Sequence, residues 1–194
     1  GCRRDHRNMN HFLIFAFLFY AGCTCGWAIE LFYRRFTPAN KNRKWINPGF
    51  LIGPYLPLYG FGLCIMYALA ECEPYWGISI TAVSKLVTVL VMGAAMTFIE
   101  YIAGLIFIKG MHVKLWDYSR RPGNVDGIIC PLFSAIWTAL CVLYLLFIHP
   151  QVRAALSWFA DNLAFSFVIG AFFGVFAIDV CYSFRLVSKI KAGR

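Results

Sequence analysis

Three carboxylates stand inside or at the edge of long apolar runs in this chain: Glu30, Glu100 and Asp179. An acid at the centre of a membrane helix costs about 2.5 to 3.5 kcal/mol on insertion scales, so each needs either a partner or a task. Burial raises the pKa of a carboxyl, which suits it to general acid and base work or to lining a solute or ion pathway. Glu30 has Arg34 four residues on, on the same helical face, where the two can pair; a pathway role stands beside that structural one. Glu100 has no basic residue three or four positions away and lies eight residues before Ile108, roughly 12 Å along a helix. Its partner has to come from another helix, a water or a substrate. Asp179 has Ser183 one turn later, and its carboxylate reads either as one end of a helix-to-helix hydrogen bond or as part of a site.

Two segments offer polar groups to these acids. The first runs from Leu115 to Gly127 and carries Trp116, Asp117, Tyr118, Ser119, Arg120, Arg121, Asn124 and Asp126, with turn signals at Pro122-Gly123 and Asp126-Gly127. It reads equally as an interfacial hairpin, with Trp and Tyr at headgroup level and Arg on phosphates, and as a re-entrant loop capping a cavity near Glu100. The second runs from Asn47 to Gly62, holds Tyr55, and is dense in Gly and Pro. Proline removes a backbone donor, and irregular backbone at membrane depth survives only where it is buried in protein or lines a wet cavity; such a broken helix fits a pathway wall. The candidate pathway residues are therefore Glu100, Asp179, Glu30, Trp116, Asp117, Tyr118, Ser119, Asn124, Asn47 and Tyr55.

Membrane helices must position these groups. Of 194 residues, 60% are hydrophobic, 18% aromatic and only 14% charged, against about 25% charged in a soluble domain; mean hydropathy is +0.65. Apolar runs at about 12–32, 50–70, 78–108, 128–148 and 163–184 match spans of roughly 20 residues. The expected fold is all-α, an integral membrane helical bundle with about five transmembrane helices, the second of them broken, in a single transmembrane domain covering 1–194. The third run reads as one long tilted helix, and His149-Pro150 is read as the stop of the fourth. Gly22 and Gly26, Gly49 and Gly53, and Gly170 and Gly174 are each four apart, the spacing that lets membrane helices approach closely.

A formal net charge of +9, from 18 Lys and Arg against 9 Asp and Glu, would suggest nucleic acid in a soluble protein. Laid on five spans, it is instead an orientation signal. One side carries Arg3, Arg4, Arg7 and Arg153; the other carries thirteen bases, in 34–44, 109–121 and 185–194. The positive-inside rule then puts the N-terminus outside and the C-terminus in the cytoplasm. The basic inner face would attract anionic lipid headgroups or an anionic solute. No nucleic-acid partner is expected, and a homo-oligomer stays open. Eight cysteines show no zinc-type spacing, and His6, His11, His112 and His149 read as scattered interfacial residues. With no phosphate loop, dinucleotide fingerprint, HExxH or GxSxG, no cofactor, no metal and no catalytic residue is expected.

The motifs carry a resemblance. Cys25-Gly26-Trp27-Ala28-Ile29-Glu30, Asn47-Pro48-Gly49-Phe50-Leu51, Gly53 to Gly62, Glu100 with Gly104, Trp116-Asp117-Tyr118-Ser119, Phe133-Ser134 with Trp137, and His149-Pro150 together resemble the ABC-transporter type IV (CmpB-like) family of bacterial multi-pass membrane proteins. The likeness runs from about Phe12 to Ser183; it departs at Thr138, where the family pattern has Gly, and at Asp126, where it has Leu or similar. The resemblance implies a permease in the bacterial plasma membrane, and since the chain has no nucleotide-binding element, a separate ATPase subunit. It brings no substrate and no catalytic residue. Two other functions stay open on the residues alone: an intramembrane enzyme acting on a lipid-linked or amphipathic substrate, and a non-catalytic membrane assembly protein.

Overall fold

The computed structural model describes residues 10–38 and 40–192. Arg3, Arg4, Arg7 and Arg194, which enter the charge count, and Cys2 and His6 lie outside the described residues, as do the side chains of Lys189 and Lys191. The described chain is helical, without strands; its one β-bridge joins Val125 and Ile129. Helix α1, His11–Phe36, starts where the Asn10 side chain accepts from the Phe12 N–H, satisfying one of the donors that a helix start leaves open. It ends with Arg34 and Arg35 in the last turn, where cations complement the helix dipole. The Gly- and Pro-rich stretch that follows is irregular up to α2, Pro57–Cys72, which opens on a proline, whose missing N–H costs nothing in a first turn. The break expected in the second run therefore precedes the helix. At 16 residues α2 is roughly 24 Å long, short of the roughly 30 Å hydrocarbon core.

Helix α3, Thr81–Gly104, runs on through a π-helical turn, Leu105–Gly110, closed by the Met111 N–H on the Ile106 carbonyl. Helix α4, Pro131–Leu143, likewise passes through a π turn, Tyr144–Ile148, into α5, His149–Asp161. The expectation that His149-Pro150 ends this span is corrected. In the π turn the His149 N–H pairs with the Tyr144 carbonyl, five residues back, and this wider winding just ahead of Pro150 admits a residue with no N–H to give. Helix α6 is Ser166–Ala192. Four helical stretches are long and apolar enough to cross a membrane: His11–Phe36, Thr81–Gly110, Pro131–Asp161 and Leu163–Arg185. Large apolar side chains such as Phe98, Phe147, Phe167 and Ile178 lie 63 to 82% exposed, an apolar exterior on a scale that marks a lipid-facing protein. The molecule is an all-α membrane bundle.

Contacts divide the chain into two compact units, Gly1–Phe61 with Phe159–Arg194, and Gly62–Trp158. In the first, α1 packs through aromatic rings: Phe17 stacks on Phe159 of α5 at 4.9 Å, while on α6 Phe19 stacks on Phe173 at 5.7 Å and Tyr20 is edge-on to Phe172 at 5.1 Å. Without water to expel, such stacking and dispersion contacts hold membrane helices together. Gly26 leaves room for the Tyr59 ring, which a β-carbon there would strike. The close approach expected of Gly170 and Gly174 does not occur: a β-carbon at either would meet nothing within 4 Å, because α6 turns its other face to α1. In the second unit Val89, Met92, Met96, Cys141, Tyr144 and Ala70 form the buried core. Gly93 is pressed against Thr138, and Gly104 against Ile128, so α3 touches α4 at one level and the chain leading into α4 at the other.

Candidate functional site

Glu100 is 4% exposed, on the face of α3 turned into the second unit. Both its oxygens are held by neutral donors. The Tyr118 hydroxyl donates to Oε1 at 3.1 Å and the Trp137 indole N–H to Oε2 at 3.0 Å. Trp137 comes from α4; Tyr118 comes from the 111–130 loop, its ring stacked on Phe133 at 4.3 Å. None of the described ion pairs includes Glu100. Of the three partners left open by the sequence, the protein supplies one, through another helix and a loop.

The loop builds itself around its other polar residues. Ser119 N–H donates to Asp117 Oδ1 at 2.9 Å and Lys114 Nζ lies 2.8 Å from Oδ2, so the Lys114 and Ser119 bonds hold the Asp117 carboxyl far below its usual range. The Asn124 amide donates to the Arg121 carbonyl and accepts from the Gly127 N–H. Asp126 and Gly127 both have positive φ, 58° and 70°, and the Ile128 N–H closes the turn on the Val125 carbonyl at 2.9 Å. That is the type I′ turn an Asp-Gly pair favours. It drives Ile128 against Gly104 and lets its carbonyl accept from the Trp116 indole at 2.8 Å. Of the loop residues singled out, Tyr118 alone meets Glu100; Trp116, Asp117, Ser119 and Asn124 shape the loop that brings it there.

The first unit holds the remaining candidates. The Asp179 carboxylate accepts from the Gly53 N–H at 2.8 Å, the Ile52 N–H at 3.2 Å, the Ser183 hydroxyl at 2.9 Å and the Tyr55 hydroxyl at 2.5 Å. Tyr55 is 3% exposed, edge-on to Phe172 and Phe176. Four donors fill the carboxylate, which thereby ties the irregular 47–56 segment to α6. Asn47 ties the same segment to α1, accepting from the Trp27 indole at 2.9 Å and donating to the Leu51 carbonyl at 2.8 Å. Glu30 pairs with Arg34 at 3.1 Å, as the i,i+4 spacing allows, and also accepts from the Tyr59 hydroxyl at 3.0 Å. Among the described residues no three His, Cys, Asp or Glu side chains gather so as to hold a metal ion.

A protein-family model described as "Putative ABC-transporter type IV" matches residues 17–184, spanning every helix that carries these contacts. The chain belongs to this family. Searches of curated proteins and of solved structures give no match. This ABC-transporter type IV protein also contains a polar cluster that the linear sequence does not reveal. His149, read as clustering with nothing, has close partners: its Nε2 lies 3.4 Å from Glu71 Oε1, its Nδ1 3.2 Å from the Tyr144 hydroxyl, and Arg153 Nε is 3.7 Å from the same Glu71 oxygen. Glu71 stands near the end of α2 and His149 inside the continuous helical stretch Pro131–Asp161, and only the return of the chain brings them together. The i,i+4 spacing of His149 and Arg153 was the available signal. Trp137 was likewise visible only as a motif residue, since nothing in the sequence links an indole on α4 to an acid on α3.

Proposed function

We propose that this ABC-transporter type IV protein is the membrane-embedded permease subunit of a transporter, a single transmembrane domain of five spans that moves a solute through a polar pathway in its cytoplasmic half. The reading rests on one observation: a carboxylate 4% exposed, deep in a 30-residue apolar helix, held by two neutral donors, one of which sits on a loop. Unlike a carboxylate locked in an ion pair, Glu100 can gain or lose a proton, or exchange a donor for a solute, without stranding a buried cation. Because Tyr118 belongs to the 111–130 loop, a change at Glu100 is felt at the membrane surface, where a separate ATPase subunit would dock. In this reading the loop and the C-terminus are cytoplasmic, the N-terminus is outside and the membrane is the bacterial plasma membrane. Asp179, Asn47 and Tyr55 shape the wall of the broken segment, and Glu30 with Tyr59 its edge.

The test is reconstitution into proteoliposomes with whatever ATPase co-purifies with it, followed by uptake of a panel of small solutes. Uptake that depends on ATP and falls at least tenfold in Glu100→Gln supports the reading. Uptake no greater than that of the Glu100→Gln variant for every solute, together with no ATPase stimulation, rejects it.

A further inference from the structure

On the outer side of the α3–α4 pair runs a groove of about 480 Å³, open along its length, lined by Gly93, Ala94, Thr97 and Tyr101 on one wall and Ser134 and Ala135 on the other. Phe98, 63% exposed, flanks it, so the groove opens onto the face that meets lipid. From Gly93 to Tyr101 it extends eight residues along α3, roughly 12 Å at 1.5 Å per residue. One leaflet of the hydrocarbon core is about 15 Å deep, half of roughly 30 Å. The groove's length therefore matches the reach of an acyl chain within one leaflet.

The two ends differ chemically. At the Gly93 end the groove is shut where Gly93 presses on Thr138. At the Tyr101 end the wall becomes polar. The Tyr101 hydroxyl donates to Asp126 Oδ2 at 2.9 Å, and Lys109 Nζ lies 2.7 Å from the same oxygen. Lys109 is half exposed, and an ammonium has three donors, of which Asp126 takes one. The nearby loop adds Arg120 and Arg121, both exposed and outside the described ion pairs, leaving it with an excess of positive charge. Inside the groove the hydroxyls of Thr97 and Thr138 are spent on the Gly93 and Ser134 carbonyls, whereas the Ser134 hydroxyl has no partner among the described hydrogen bonds. A free hydroxyl facing hydrocarbon calls for an acceptor, which a glycerol ester carbonyl provides.

We propose that this groove is a binding site for one anionic glycerophospholipid, its acyl chain laid between α3 and α4 and its phosphate on Lys109. The ligand is held by its chain as well as its head, unlike the lipid that any apolar surface attracts. The proposal rests on insertion in a membrane and not on transport, so its fate is separate from that of the permease reading.

Native mass spectrometry of the purified full-length chain, delipidated in detergent and titrated with dioleoyl phosphatidylglycerol or dioleoyl phosphatidylcholine, tests it. The expected result is a single phosphatidylglycerol adduct retained at least tenfold better than phosphatidylcholine. Ala135→Phe, which fills the groove, and Lys109→Gln should each lower its occupancy about tenfold. Ala171→Phe, of equal bulk on the exposed face of α6, should not. Ala94→Leu narrows the groove from its opposite wall and stands in if Ala135→Phe does not fold. Equal retention of both lipids, an adduct indifferent to the groove variants, or equal loss in Ala171→Phe overturns the proposal.

Discussion

The acids at Glu100 and Asp179 look alike in the sequence and differ in what their neighbours leave over. Asp179 accepts four hydrogen bonds, two of them from the backbone of 52 and 53. A carboxylate so filled is a clasp. Asp179→Ala leaves the two amides and two hydroxyls without an acceptor, each worth about 1 to 3 kcal/mol when buried. The expected outcome is a large fall in thermal stability in detergent and protease cutting within 47–56, with Ser183→Ala much milder. Among the described residues Glu100 has two donors. Trp137→Phe takes one away at a cost of about 0.5 to 2 kcal/mol, the range for interhelical hydrogen bonds in membranes; the drop in melting temperature against Tyr118→Phe compares the helix donor with the loop donor. A melting temperature equal to that of the unsubstituted protein in both variants would mean that neither bond holds the acid.

Within elements, the glycines divide by what faces them. Gly104→Val would force Ile128 out of its notch and should cost about 1 to 3 kcal/mol by overpacking, read as a lowered melting temperature. Gly170→Val and Gly174→Val meet open space and should leave it unchanged. The 111–130 loop responds to acid. Lys114 and Ser119 hold the Asp117 carboxyl below its ordinary range, and Lys109, then Tyr101, do the same for Asp126. A depressed folded pKa stabilises the loop above the unfolded value of about 3.9 and is lost as pH falls through the folded one. Emission from Trp116, isolated by replacing the other tryptophans, should stay constant from pH 8 to 5 and change only below about pH 4. A transition near neutrality would contradict this assignment. The π turn before Pro150 shows the limit of local rules: Pro is a helix breaker in isolation, and here the winding ahead of it makes room.

For the molecule as a whole, the basic residues of 34–44, 109–121 and 185–194 fix the expected orientation. A cysteine placed at Lys41 or Lys114 in a cysteine-free background should resist membrane-impermeant maleimide in intact cells, while one at Trp76 should react. The reverse pattern would overturn the five-span arrangement with the N-terminus outside. Family membership over 17–184 fits the ordered motifs, because they fall on residues that close contacts: Gly26 under Tyr59, Gly104 under Ile128, Trp116 on Ile128, and Trp137 on Glu100.

Composition and run length alone determined that this chain is an all-α membrane protein, since 60% hydrophobic residues in runs of span length cannot form a soluble core. Local spacing determined the Glu30–Arg34 pair, the Asp-Gly turn and the presence of an irregular Gly- and Pro-rich stretch, all of which depend on near neighbours, while the structure set the end of that stretch at Pro57. The partners of Glu100, the three donors on Asp179 other than Ser183, the Glu71–His149 contact and the lateral groove were decided only by the tertiary structure. The hydrogen bonds among them join residues from 18 to 127 positions apart, and a hydrogen bond in a membrane is specified by which helix faces turn toward each other. Apolar residues encircle these helices almost evenly, so periodicity does not mark that face. The +9 charge carries the orientation expected of the chain in the membrane; the packing shows where its acids are held.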